Sequence, residues 1–201
     1  MKDSHKSKIS RRTVIASATL IPIAAIKAAP QSAPSPIPAT VFSAEQRRIL
    51  DALVSRLIPN DENGPGAVEC GVPEYIDGCL ADYLAAEKAA FFEGLSSLDA
   101  FARSSQGVAF VELSAEKQDA VLMAIEANQT PGPFGFFNRA RRLTLEGMFG
   151  DPIYGGNKNF AGWDLIRYPG AKLAAAPEDQ SMKTPPKPYR RSVYGGGEHG
   201  H

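Results

Sequence analysis

Residues 43–59 read SAEQRRILDALVSRLIP. Ser43, followed three residues later by Gln46, makes a capping box, in which each side chain satisfies a backbone amide that the first helical turn leaves free. Ile49, Leu50, Leu53, Val54, Leu57 and Ile58 then recur at helical spacing along one face, and Pro59 closes the segment. Burying those six side chains contributes roughly 10 kcal/mol before chain entropy is subtracted. The stripe is core, and a chain that opens its folded part this way is built from amphipathic helices.

The same period continues downstream. NDENGPGAVECG (60–71) is a loop by composition, and Pro73 suits the first turn of a second helix whose apolar face is Tyr75, Ile76, Cys79, Leu80, Tyr83 and Leu84. A third helix turns Phe91, Phe92, Leu95, Leu98 and Phe101 inward. Ser114 caps a fourth, with Val121, Leu122 and Ile125 on its face. After a break from Asn128 to Pro133, a fifth runs from Phe134 to Met148 and carries Phe137, Ala140, Leu143 and Met148. No alternating strand pattern of useful length occurs. The expected fold is all-α: an irregular bundle of about five helices with an extended Gly/Pro-rich C-terminal arm.

Beyond the fifth helix the character changes. GDPIYGGNKNFAGWDLIRYPG (150–170) holds five glycines, two prolines and four aromatics, Tyr154, Phe160, Trp163 and Tyr168, the tryptophan being the only one in the chain. The helical domain therefore spans 42–170. The arm, 171–201, has too few large apolar residues for a second core.

Upstream, residues 29–41 form a proline-rich spacer, extended by composition. Residues 1–28 have the layout of an export signal: a basic leader, an uncharged run from Thr13 to Ile26, then small residues. At ~1.5 Å per residue that run reaches about 20 Å, short of the ~30 Å hydrocarbon core. Ser10-Arg11-Arg12-Thr13-Val14-Ile15 resembles a twin-arginine (Tat) motif, so Arg11 and Arg12 are the expected export residues and the Tat translocase the expected carrier. An ordinary secretory signal is the alternative.

Charge and missing ligands narrow the chemistry. Basic and acidic residues balance at 22 each, which gives no case for nucleic acid. The only histidines are His5, His199 and His201, all outside the helical domain. That domain has no Cys-x-x-Cys-His for covalent haem, no cysteine cluster, no Gly-x-Gly-x-x-Gly after a strand, and no material for a Ser-His-Asp or Cys-His arrangement. No catalytic residue, cofactor site or metal site is assigned to this chain. The loop acids Asp61, Glu62 and Asp151 are more readily turn formers or caps than bases. Cys70 and Cys79 stand in an exported chain, where a disulfide is common. Either they bridge, which requires the loop to fold back within the ~7 Å limit, or Cys79 is a small core residue and Cys70 is free or joined to another chain.

With those residues laid out, the sequence resembles the gluconate 2-dehydrogenase subunit 3 family from about Phe42 to Gly170. Gly150-Asp151-Pro152, Tyr154-Gly155-Gly156-Asn157, Trp163 and Tyr168-Pro169-Gly170 carry the resemblance, in that order and spacing. A second block is Leu57-Ile58-Pro59, Asp61, Gly64 to Ala67, Gly71-Val72-Pro73 and Ile76-Asp77. Cys70 departs from the pattern, falling where a small residue such as alanine is expected. The resemblance implies a small subunit of a membrane-associated dehydrogenase of sugars, sugar acids or polyols. A large flavoprotein subunit holds FAD, a multihaem cytochrome subunit carries haem c, and the small subunit supplies the Tat signal and supports export, maturation and stability of the flavoprotein. It also implies a periplasmic location. On that basis Tyr154, Phe160, Trp163 and Tyr168 are expected to face a partner subunit, or else to cover the end of the bundle. Two other readings remain: an independent exported enzyme relying on Asp151 and Tyr154, and a periplasmic module that stacks a sugar on the aromatic loop.

Overall fold

A computed structural model of the chain describes residues 40–127, 133–172, 174, 177 and 188–194. The expected export signal with Arg11 and Arg12, nearly all of the spacer, and His199 and His201 lie outside the described residues. Six α-helices and no strands are found among the described residues: α1 (Ala44–Leu57), α2 (Val72–Ala81), α3 (Lys88–Gln106), α4 (Ala115–Glu126), α5 (Pro133–Phe149) and a short α6 (Ala161–Leu165). The all-α bundle expected from the sequence is the fold observed. None of these helices is long and apolar enough to cross a membrane.

The first helix forms as its sequence dictates. Ser43 Oγ accepts the Gln46 amide at 3.1 Å, and Gln46 Oε1 accepts the Ser43 amide at 2.9 Å, closing the capping box. Ile49, Leu50, Leu53 and Val54 are buried, and the helix ends at Leu57 as Ile58 turns extended. Just before the cap, Asp77 of α2 reaches across to the incoming chain. Its carboxylate accepts the Thr40 hydroxyl at 2.7 Å and the Val41 amide at 2.9 Å, and its side chain is buried. A buried carboxylate is tolerated there because its oxygen receives two donors.

Helix α5 is the axis of the bundle, touching α1, α2, α3, α4 and α6. Ala140, Leu143 and Met148 are fully buried on it. At the α2–α5 crossing Gly147 lies beneath the ring of Tyr75, where a β-carbon would stand 2.7 Å from the ring. Phe42, Phe91 and Phe136 stack edge-on across α3, with ring centroids 6.1 and 5.1 Å apart. The link from α3 to α4 is fixed by buried polar groups. Asp99 accepts the Phe110 amide at 2.8 Å, and Gln118 Nε2 donates to the Phe110 carbonyl at 3.0 Å.

Two elements differ from the pattern read in the sequence. The second helix stops at Ala81, because Asp82 takes φ −121°, ψ −104°, so Tyr83 leaves the core face and is 63% exposed. The short α6 was not anticipated. Its five residues are too few to display a period, and Phe160 precedes it in the left-handed region at φ 59°.

Candidate functional site

The bundle ends where α5 ends, and the last carbonyls of a helix have no partner within it. The segment 150–166 folds onto that end and supplies partners. Asn157 Nδ2 donates to the Gly150 carbonyl at 2.8 Å, and the indole N–H of Trp163 donates to the Phe149 carbonyl at 2.8 Å. Gly156 and Gly162 come close enough to the carbonyls of Gly147 and Met148 that any β-carbon there would collide with backbone. The same Asn157 caps α6: its Oδ1 accepts the Gly162 amide at 2.9 Å and the Trp163 amide at 3.4 Å. Asn157, Asn159 and Phe160 all have positive φ (46°, 56° and 59°), a strained path that the bonds to the completely buried Asn157 hold in place.

This construction separates the four aromatics. Trp163 and Phe160 are buried in the chain's own interior, with ring centroids 5.3 Å apart. Tyr168 stands edge-on to Trp163 at 4.9 Å and is 41% exposed, and Tyr154 is 58% exposed. The expectation that all four face a partner is therefore narrowed. Phe160 and Trp163 cover the end of the bundle, and only Tyr154 and Tyr168 are available from outside.

The described part of the C-terminal arm lies beside them. Tyr189 donates its amide to the Pro169 carbonyl, and Arg190 pairs with Asp164 at 2.6 Å. The Val193 amide donates to Asp151 Oδ2 at 3.1 Å, and the Tyr154 and Tyr194 hydroxyls meet at 2.9 Å. The arm thereby brings Tyr189, Val193 and Tyr194, all exposed, to the side of the molecule that already carries Ile153, Tyr154, Ile166 and Tyr168. Most of the large apolar side chains exposed among the described residues stand at this end.

Asp151 and Tyr154, on which an independent enzyme would rely, are both engaged. Asp151 Oδ1 accepts the Ile153 amide at 3.1 Å while Oδ2 holds the arm, so the residue is a cap and a clasp. The phenol of Tyr154 is pushed above its ordinary pKa by its hydrogen bond to Tyr194. Asp61 likewise closes a turn, accepting the Asn63 amide at 2.8 Å. Among the described residues no group of three His, Cys, Asp or Glu side chains is placed to hold a metal ion.

Two clefts flank the aromatic end. The larger, about 610 Å³, lies between the 57–65 loop and α6, but its acids are already used, Asp61 in the turn and Asp164 against Arg190. The other, about 450 Å³, is lined by Tyr75, Gly78, Cys79, Asp82, Tyr83 and Tyr154. The Tyr75 hydroxyl donates to Glu146 Oε2 at 3.3 Å at its edge. Burial raises the pKa values of Tyr75, Tyr83 and Cys79.

Both cysteines are free thiols, and both are buried. Cys70 lies 1% exposed beneath the loop, its carbonyl accepting the Lys158 amide at 3.0 Å, and burial raises its pKa. Of the alternatives left open by the sequence, the structure has the unbridged one, and a link from Cys70 to another chain would first require it to be uncovered. In the sequence Asn157 and Asp77 stand only within the blocks that carry the family resemblance, with no structural role assigned to either. An asparagine directly after two glycines and an acid beside the apolar face of α2 were the available signals.

Comparison with known proteins adds one finding. The family model described as gluconate 2-dehydrogenase subunit 3 matches residues 44–170. No curated protein and no solved structure matches the chain.

Proposed function

The chain belongs to the gluconate 2-dehydrogenase subunit 3 family, and on that premise we propose that it is the non-catalytic small subunit of a periplasmic, membrane-associated, FAD-dependent dehydrogenase of sugars, sugar acids or polyols. Its role is to support export, maturation and stability of the flavoprotein subunit, with the Tat signal around Arg11 and Arg12 taking the complex across the membrane. FAD then resides in the flavoprotein and haem c in a multihaem cytochrome subunit. The observation that carries this reading is the exposed aromatic end, where Tyr154, Tyr168, Tyr189 and Tyr194 sit on a scaffold whose own acids and amides are engaged in holding that surface together.

Expression of the dehydrogenase's flavoprotein subunit with and without this chain tests the proposal. The expected outcome is an active flavoprotein in the periplasmic fraction only when this chain is present, and its loss to the cytoplasm when Arg11 and Arg12 are both changed to lysine. A flavoprotein exported and fully active alone would overturn it.

A further inference from the structure

We propose that the cleft at the C-terminal end of α2 is a receptor for a cationic side chain, an arginine carried by the partner subunit, gripped between the rings of Tyr83 and Tyr154 and neutralised by Asp82. The inference rests on reading this chain as a subunit and names the chemistry by which one part of its surface engages its partner.

Charge comes first. Asp82 caps the C-terminus of α2, with its amide donating to the Cys79 and Gly78 carbonyls. A helix C-terminus carries partial negative charge, so an acid there is unfavourable and a cation would be welcome. The last turn of α2 contains no basic residue, and the Asp82 carboxylate has no ion pair or hydrogen bond among the described residues. Several other acids are paired: Glu74 with Arg47 at 2.7 Å, Glu146 with Arg142 at 3.1 Å, and Asp164 with Arg190 at 2.6 Å. Among the described residues Asp82 is thus an exposed acid without a paired cation at the negative end of a helix.

Shape and surface follow. The cleft walls include three tyrosines, and none of the six lining residues is basic. Tyrosine faces attract cations through the ring quadrupole, and a planar guanidinium can also stack on them. Tyr83 and Tyr154 are 63% and 58% exposed, so their rings are accessible without rearrangement. Tyr154 is steadied from behind by Tyr194, whose ring stands edge-on at 6.1 Å. At the edge of the cleft Glu146 accepts the Tyr75 hydroxyl with one oxygen while the other pairs with Arg142. An apolar side chain would leave Asp82 uncompensated, whereas a guanidinium meets both the carboxylate and the rings.

Two measurements test this on the full chain. First, N-acetylarginine amide is titrated against the protein while tyrosine ring signals are followed by NMR, with the neutral isostere N-acetylcitrulline amide as control. Shifts confined to Tyr83, Tyr154 and Tyr75, seen with arginine, absent with citrulline and abolished by Asp82→Asn, are expected. Equal shifts from citrulline, or none from arginine, would overturn the proposal. Second, Asp82→Asn and Tyr83→Ala are compared with wild type in binding to the flavoprotein, each expected to weaken the complex by about 10-fold with the loss growing smaller at high salt. If both variants bind like wild type, the cleft proposal falls while the subunit reading stands. If wild type itself does not bind, the subunit reading falls, and the amide titration still decides what the cleft accepts.

Discussion

Trp163 and Tyr154 are nine residues apart in one loop and have opposite duties. Trp163 is 5% exposed and its indole N–H satisfies the last turn of α5. Trp163→Ala would leave a cavity and an orphaned carbonyl, and is expected to cost about 3–5 kcal/mol in urea unfolding. Tyr154→Ala, at a largely exposed site, should cost no more than about 1 kcal/mol. Equal losses for the two would show that the loop faces the other way. The thiols give a second residue-scale prediction. Cys70 and Cys79 are both buried, and that burial raises their pKa values and disfavours the reactive thiolate. Native protein should therefore react slowly with a thiol reagent such as DTNB, and two equivalents should react promptly once it is unfolded. Rapid modification of the folded chain would contradict the burial.

Between elements, helices are tied by ion pairs that leave a signature in acid. Arg56 of α1 grips Asp119 of α4 through two bonds of 2.8 and 2.9 Å, which lowers the carboxylate's pKa. Burial pushes the Glu74 carboxyl of α2 up, but the Arg47 hydrogen bond, a backbone hydrogen bond and the charges of Arg47 and Lys158 together outweigh it, and its pKa is also lowered. Carboxylates with lowered pKa bind fewer protons in the folded than in the unfolded chain. Their contribution is present above the ordinary carboxylate range and is lost as pH falls through it. The urea midpoint should thus decline between about pH 5 and pH 3, and Arg56→Ala should flatten part of that decline. Both pairs are partly exposed, so the effect is modest and shrinks in salt. These same elements show what could be read in the sequence. The five longer helices were legible because each buries a stripe at 3.6-residue spacing. The short α6 was not, because its start depends on Asn157, a distant cap with left-handed backbone. Nor could the sequence decide which face of loop 150–166 turns toward α5: aromatic residues suit a partner surface and a bundle end equally well. The contact of Gly156 and Gly162 with backbone carbonyls settles that choice, and it exists only in three dimensions.

At the scale of the whole molecule, the described part of the arm adds surface to the aromatic end without adding to the core. Its links to the loop are an exposed ion pair, a tyrosine pair and a few backbone bonds. Removal of residues 188–201 is therefore expected to leave the helical circular-dichroism signal unchanged and to lower Tm by less than about 5 °C. It should make Tyr154 more accessible to solvent quenchers. A cooperative loss of helix on truncation would mean that the arm is part of the fold. The expected all-α bundle and family membership are both found.

The clasp between Asp77 and the chain ahead of α1 has a mechanical meaning. A pull on the residues that precede Thr40 does not begin by peeling the first turn of α1. Tension passes through the Thr40 hydroxyl and the Val41 amide to Asp77, and so into α2 and the α5 axis behind it. The two bonds share a single carboxylate oxygen, so the clasp resists as one unit and then yields at once. In a force spectrometer, traction from the N-terminus should give a first rupture that Asp77→Ala lowers, followed in the variant by gradual unwinding of α1. The folded domain can be drawn by its leading end with its first helix shielded from the draw.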